Sequence, residues 1–282
     1  MKTKEYTGIS INEDEIVGLT GHIEDNLLII DDSLCMKRKG SVSQDLAMFI
    51  QQYSLQNHRL GIVCNCPTFT NIVPFNGDID CVADFIKWNL NDLIPWTRSE
   101  YTYDFCLRKD DCENTYIYIV AIHRKTLDEI NKAISRCQAI VSIIDYWPIP
   151  LAYLYTYRNG FITGIVREAS IQLWCWWKSV CIKEITVYGG GKDLVEAVEG
   201  LEEDMKSYGI VEVQGLKIYG TEQLAEEMHL DINAMEEAYG LMEAAPFHIT
   251  SRGSEAFIPG EIDWDMALGV LIRGLNYVDG NR

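Results

Sequence analysis

The chain has 282 residues, 24 of them basic and 42 acidic, for a net charge of -18. A chain this long holds about two domains and can bury roughly three quarters of its unfolded surface, so a substantial core is expected. The negative field opposes phosphate backbones and anionic lipid, which excludes nucleic acid and direct membrane binding as expected partners.

The nine cysteines are an odd number, and the close pair Cys64-x-Cys66 is too tight for the usual zinc or redox spacings. They read as buried thiols in a reducing cytoplasm. MKTKEYTGIS lacks the apolar stretch of a signal peptide, and no run approaches the roughly 18 apolar residues that would cross a bilayer. The expected location is cytoplasmic.

In chain order, EIVGLTG, NLLIID and LCMKRK are short apolar runs broken by Gly, Asp and Ser, and each reads as a strand. DLAMFIQQYSL then carries apolar residues at helical spacing, and RLGIVCNC closes the unit as a strand. NGDIDCVADFIKWNLNDLIPW begins at an Asp cap, places Val82, Phe85, Ile86 and Leu90 on one helical face and stops at Ile94-Pro95. EYTYDFCLR and NTYIYIVAIHR form an expected hairpin, KTLDEINKAISRCQ an amphipathic helix and AIVSIIDYW a buried strand.

From Phe161 the first pattern returns. FITGIVR, SIQLWCWWK and VCIKEITVY lead through Gly189-Gly190-Gly191 into the helix DLVEAVEGLEEDM and the strand GLKIYG. The run Trp174-Cys175-Trp176-Trp177 is apolar on both strand faces, as in a covered sheet. TEQLAEEMHLDINAMEEAYGLMEAA is helical in pattern and acidic, HITSRGSEAFIPGEI is loop-like, and the tail puts Ala267, Val270, Leu271 and Leu275 on one face that can dock onto a sheet.

Two copies of a three-strand meander, a helix and a strand resemble the actin-like, ribonuclease H-like ATPases. The expected fold is therefore α/β and two-lobed, an actin-like duplication with an α+β insert in the first lobe. The expected boundaries are residues 1–78 plus about 147–160 for the first lobe, 79–146 for the insert and 161–282 for the second lobe.

Such proteins grip nucleotide at three turns. The turns after the first strand of each repeat require Asp-x-Gly, whose carboxylate positions magnesium and whose glycine admits phosphate to backbone N–H groups. Thr20-Gly21 stands at the first turn as read here, and Arg167-Glu168-Ala169 at the second. The third grip is reduced to Tyr219-Gly220-Thr221, where a phenol competes with adenosine for space. Thr20, Gly21, Gly189, Gly190, Gly191 and Gly220 are thus vestigial nucleotide candidates, and neither ATP with magnesium nor another cofactor is expected. His22, His58, His123, His229 and His248 are scattered without a metal-ligand spacing, and no nucleophile adjoins a base, so neither a metal site nor a catalytic residue is expected.

Specific motifs narrow the resemblance to the PilM family of type IV pilus assembly proteins. These are the helix stop Ile94-Pro95-Trp96, Tyr103-Asp104-Phe105, Ile119-Val120-Ala121, Ile143-Ile144-Asp145-Tyr146, Pro148-Ile149-Pro150-Leu151-Ala152, Gly190-Gly191-Lys192-Asp193-Leu194, and Met266 to Gly274 in the tail.

That resemblance implies a cytoplasmic scaffold at the inner face of the cytoplasmic membrane. It would clasp an N-terminal peptide of the membrane protein PilN between the insert and the first lobe, coupling assembly ATPases to the membrane complex. Phe85, Trp88, Ile94, Pro95 and Trp96 are the candidate groove residues, since large aromatics beside a helix stop suit a bound peptide. The cytoplasmic part of the type II secretion protein GspL is the second resemblance, and an actin-like ATP-binding protein or ATPase with atypical phosphate turns is the third reading.

Overall fold

A computed structural model describes residues 5–25, 27–110, 112–155, 160–210, 212–242, 247–249 and 258–278. The strands and helices run β1 (Tyr6–Ile11), β2 (Glu15–Glu24), β3 (Leu27–Lys37), α1 (Val42–Gln52), β4 (Arg59–Cys64), β5 (Thr68–Phe75), α2 (Val82–Leu93), β6 (Tyr101–Lys109), β7 (Thr115–His123), α3 (Arg124–Cys137), β8 (Ile140–Tyr146), α4 (Leu151–Leu154), β9 (Gly160–Val166), β10 (Ile171–Trp177), β11 (Val180–Val187), α5 (Gly191–Lys206), β12 (Leu216–Tyr219), α6 (Glu222–Glu227), α7 (Ile232–Tyr239), β13 (Phe247–Ile249) and α8 (Ile262–Val278). None of these helices is long and apolar enough to cross a membrane among the described residues.

The first lobe is a six-stranded sheet in the order β13-β3-β2-β1-β4-β8. β1 pairs antiparallel with β2 and parallel with β4, and β4 pairs parallel with β8. Alternation along β1 serves two layers. Ile9 and Ile11 face α1 and α3, joining Phe49, Ile62 and Ile130 in one core. Tyr6 faces α4 and α8, joining Leu151, Ala267 and Leu271 in another.

Backbone crowding fixes the α8 layer. A Cβ on Gly8 would lie 2.2 Å from the Ala267 carbonyl oxygen, and one on Gly269 would lie 2.1 Å from that of Pro150. The expected docking face is confirmed, because Ala267, Val270, Leu271 and Leu275 are all buried against the first-lobe sheet.

The second lobe repeats the pattern as a four-stranded sheet, β11-β10-β9-β12, with β12 parallel to β9. Leu194, Val198, Leu201 and Met205 of α5 fill one face. Trp174, Cys175, Trp176 and Trp177 are all buried, as their two-sided apolar pattern requires.

The insert is a three-stranded antiparallel sheet, β5-β7-β6, and its boundaries correct the expectation of 79–146. It starts at Thr68, because β5 pairs with β7, and ends at His123. α3 and β8 return to the first lobe, where α3 shares a core with α1 and β8 pairs with β4. One face of the insert sheet packs on α2 through Phe75, Val82, Ile86, Ile117 and Ile119. The opposite face meets the second lobe, with Tyr116 against Trp177 at a ring separation of 5.6 Å.

Candidate functional site

The space between the lobes is where the actin-like expectation put nucleotide, and Thr20 and Gly21 do not border it as a turn. They lie inside β2, at a register shift opposite β3, with the Thr20 hydroxyl 3.0 Å from that of Thr7. The turn after the first strand is instead Asn12-Glu13-Asp14, because β1 precedes the strand taken as first. The Asn12 carboxamide oxygen accepts from the N–H groups of Asp14 and Glu15 at 2.8 and 2.7 Å, closing the turn on itself.

The first turn of α8 then meets elements of all three expected grips. Asn12 donates its carboxamide N–H to Asp263 at 2.6 Å. Burial pushes the Asp263 pKa up, against the Asn12 hydrogen bond and the field of Arg167 from the β9–β10 turn. Two residues on, Asp265 accepts from the Tyr219 hydroxyl at 2.8 Å, and Tyr155 lies 3.2 Å from that same hydroxyl. Burial also raises the Asp265 pKa. Asn12 and Tyr219 each satisfy one carboxylate oxygen, the second Asp263 oxygen is buried without a partner, and two carboxylates stand where phosphate would add more negative charge.

The other glycine candidates are packing positions. A Cβ on Gly190 would lie 2.8 Å from the Met228 carbonyl oxygen, so the α6–α7 connection closes over the turn before α5. Gly189 lies against the Asp193 carboxylate, whose charge opposes an anion there, and Gly191 faces the His229 carbonyl. Gly220 approaches Val166 so closely that a Cβ would meet it at 2.9 Å. Among the described residues, no three His, Cys, Asp or Glu side chains gather as a metal site.

An open cleft of about 400 Å³ lies elsewhere, at the junction of insert, first lobe and second lobe. Its walls are β6 and β7 of the insert, Ile144 to Tyr146 of β8, Ile149 and Tyr153 beyond it, Arg273 of α8, and Ser179-Val180 of the β10–β11 turn. Tyr118 and Tyr146 share a buried hydroxyl contact at its base. Arg273 is ion-paired with buried Asp145 and lies 5.1 Å from the Tyr153 ring, so its charge is held by one carboxylate and one aromatic face. Burial still raises Asp145 above the usual carboxylate range, overriding the pull of Arg273.

The expected groove residues do not line this cleft. Phe85 and Ile94 sit in the core between α2 and the insert sheet, with Phe85 5.3 Å from the Phe75 ring. Trp96 is half-buried against His123 at 4.7 Å, Pro95 is exposed beside it, and Trp88 is 81% exposed on the outer side of α2. The physical reason is strand alternation. Ile117, Ile119 and Ala121 of β7 point to α2, while Tyr118, Val120 and Ile122 point to the cleft, so α2 and the cleft occupy opposite faces of one sheet. Residues from four separate stretches form the cleft, and their only common signal in the sequence is that several fall in the motifs Tyr103-Asp104-Phe105, Ile143 to Tyr146 and Met266 to Gly274.

Two lobes built on one duplicated topology, with an insert sheet and a crossing terminal helix, define an actin-like α/β fold. No family model matches the chain, and no curated protein matches it by sequence. Among solved structures it is similar to a PilM–PilN type IV pilus biogenesis complex, with a TM-score of 0.59 and 10% identity over 96% of this chain and 98% of that one. It is also similar to the cytoplasmic domain of EpsL, an inner-membrane component of the type II secretion system of Vibrio cholerae, with a TM-score of 0.53 and 11% identity over 95% of each chain. At these identities the likenesses establish the fold, and they fall on the two systems to which the sequence motifs pointed.

Proposed function

We propose that this chain is a non-catalytic adaptor of a type IV pilus or related secretion machine, holding an N-terminal peptide of a PilN-like inner-membrane protein in the cleft beside the insert. The carrying observation is the near full-length likeness to a chain of the PilM–PilN complex, in a molecule that leaves this cleft open. A chain of net charge -18 is repelled by an anionic membrane surface, so a peptide partner is a physically sound tether to the inner face. Assembly ATPases would be contacted by the same scaffold. ATP has no part in this reading, which the negative charge of Asp263 and Asp265 at the interlobe joint supports.

The test is titration of the chain with a labelled peptide of the cytoplasmic N-terminus of the neighbouring PilN-like protein. Saturable binding that survives Trp88→Ala is expected, because Trp88 lies on the face away from the cleft. Absence of saturation overturns the partner. If the corresponding peptide of a type II secretion component saturates instead, the EpsL-like platform replaces the pilus reading. A thermal shift with magnesium and ATP checks the nucleotide half: ligand at 100 times its Kd would add about 2.7 kcal/mol, and no shift is expected at millimolar ATP.

A further inference from the structure

β6 is an edge strand, and the cleft runs along its edge. In the order β5-β7-β6 its outer side has no partner strand among the described residues. All residues from Thr102 to Cys106 line the cleft, which a cavity can achieve only by following the strand's edge, since neighbouring side chains point to opposite faces. The hydrogen bonds at the two ends of the hairpin fix which backbone groups face outward. Asp110 N–H donates to Asn114 and Arg124 N–H to Glu100, so even-numbered residues of β6 pair with β7, and Tyr103, Phe105 and Leu107 direct their N–H and C=O groups to the free edge.

Two side chains of β6 stand in for the missing strand. The Asp104 carboxylate accepts the Phe105 N–H at 2.8 Å, and the Arg108 guanidinium donates to the Leu107 carbonyl at 2.9 Å. Neither side chain is in an ion pair among the described residues. Tyr103 and Phe105 are each 37% exposed, which leaves the edge approachable. A bare edge of this kind pairs with another chain unless it is blocked, and here the block consists of two charged side chains rather than a bulge or a proline, with the Arg108 guanidinium also donating to the Lys178 carbonyl at 3.1 Å.

We infer that the cleft binds its peptide as an extended strand added to β6, and that displacement of Asp104 and Arg108 from the edge turns them into readers of charge. The occupant is a segment carrying one basic and one acidic residue four positions apart. Asp104 and Arg108 are four residues apart on one face, about 13 Å at 3.3 Å per residue, and each would meet the opposite charge on the added strand. Backbone pairing would supply affinity and the two charges register, as in other strand-addition sites. Arg273, already neutralised by Asp145, forms the far wall rather than a third reader.

This inference rests on the cleft being a peptide site, and its test does not depend on the identity of the partner. A library of random ten-residue peptides is selected on the full chain. The binders are then measured against Phe105→Ala, Phe105→Pro and the swap Asp104→Lys with Arg108→Glu, and rescanned with single backbone N-methyl groups. Expected are retention with Phe105→Ala, loss of at least tenfold with Phe105→Pro, loss at every second methylated position, and a reversed charge preference in the swap. Proline at 105 removes an N–H that β7 does not use, a position where strands tolerate it. Should that variant fold poorly, the methylation period decides alone. No enrichment over the swap variant, or binding indifferent to both proline and methylation, overturns the strand. Period-two library binders without binding of the PilN-like peptide would sink the partner and keep the edge, and a PilN-like peptide that binds without period two would do the reverse.

Discussion

Tyr219 donates its hydroxyl to Asp265 at 2.8 Å, joining the last strand of the second-lobe sheet to a helix that packs on the first. Both groups are buried, so deleting the hydroxyl leaves a carboxylate short of a donor. Tyr219→Phe is expected to cost about 1–3 kcal/mol, at roughly 2–4 °C of Tm per kcal/mol for a chain of this size class. Calorimetry checks it, and an unchanged Tm would show that Tyr155 replaces the lost donor.

The same joint sets a pH dependence. Burial raises the folded pKa of both Asp263 and Asp265. Their contribution to stability is full below the ordinary carboxylate value of about 3.9 and is lost as pH rises through the raised folded values. Asp265→Asn should therefore gain stability relative to the parent above that window and flatten the pH profile across it. Urea midpoints from pH 4 to pH 8 provide the measurement, and parallel profiles would refute it.

Helix α8 needs its glycines for contact rather than for conformation. A methyl at Gly269 would sit 2.1 Å from the Pro150 carbonyl oxygen, so α4 and α8 must move apart to admit it. Gly269→Ala is expected to destabilise by about 1–3 kcal/mol through overpacking, although alanine is the better helix former. Gly200 of α5 has open space around it, so Gly200→Ala should stabilise by about 0.5–1 kcal/mol. Opposite signs in the two denaturation midpoints are the expected result.

The second repeat is legible in the sequence, whereas in the first the pattern misses β1 and splits the single strand β3 into NLLIID and LCMKRK. β9, β10 and β11 are apolar runs with turns between them, so their ends were visible. β1 carries Thr7 and Ser10 inside the core, where the Thr7 hydroxyl is 3.0 Å from both Thr20 and His58, and such buried hydroxyls hide a central strand from a hydrophobicity reading. Hydrophobicity alone therefore points to Thr20 for the phosphate turn, one strand beyond Asn12. α3 and β8 were recognised as elements, yet the sheet that β8 joins depends on a crossover, which local pattern does not encode. β5 contains Pro74, which suits the sheet edge it occupies but reads as an interruption. Aromatic content marks Trp88 and Trp96 on the α2 side, whereas the open face is set by the alternation of β7.

Asp145 is buried and its partner Arg273 is about a third exposed, so the pair is costly to break from the cation's side. Removing the cation leaves a carboxylate that is 5% exposed without its counterion. Arg273→Gln is expected to cost about 1–3 kcal/mol, less than for a fully buried pair because solvent reaches the guanidinium, and adding Asp145→Asn should restore most of it, because the charge to be neutralised is gone. Chemical denaturation of the two single variants and the pair decides this. Additive losses would show that the residues act independently.

The nine thiols divide by burial, which corrects the expectation that all are buried. Cys81 and Cys112 are exposed, while Cys64, Cys137, Cys175 and Cys181 are buried. Burial pushes the Cys64 pKa up to about 12, and burial with the nearby Glu15 carboxylate takes Cys35 to about 11. The thiolate is the reactive species, so both buried position and raised pKa slow attack on a disulfide reagent. Ellman's reagent at pH 8 should react rapidly with two thiols in the folded chain and with all nine in denaturant, and Cys81→Ser with Cys112→Ser should abolish the rapid phase. Cys106 lines the cleft with its thiol pKa raised by burial, so in that double variant it should label slowly and be protected by a cleft-bound peptide. Rapid labelling that persists in the double variant would place a third thiol at the surface, and labelling of Cys106 unaffected by peptide would remove the peptide from the cleft.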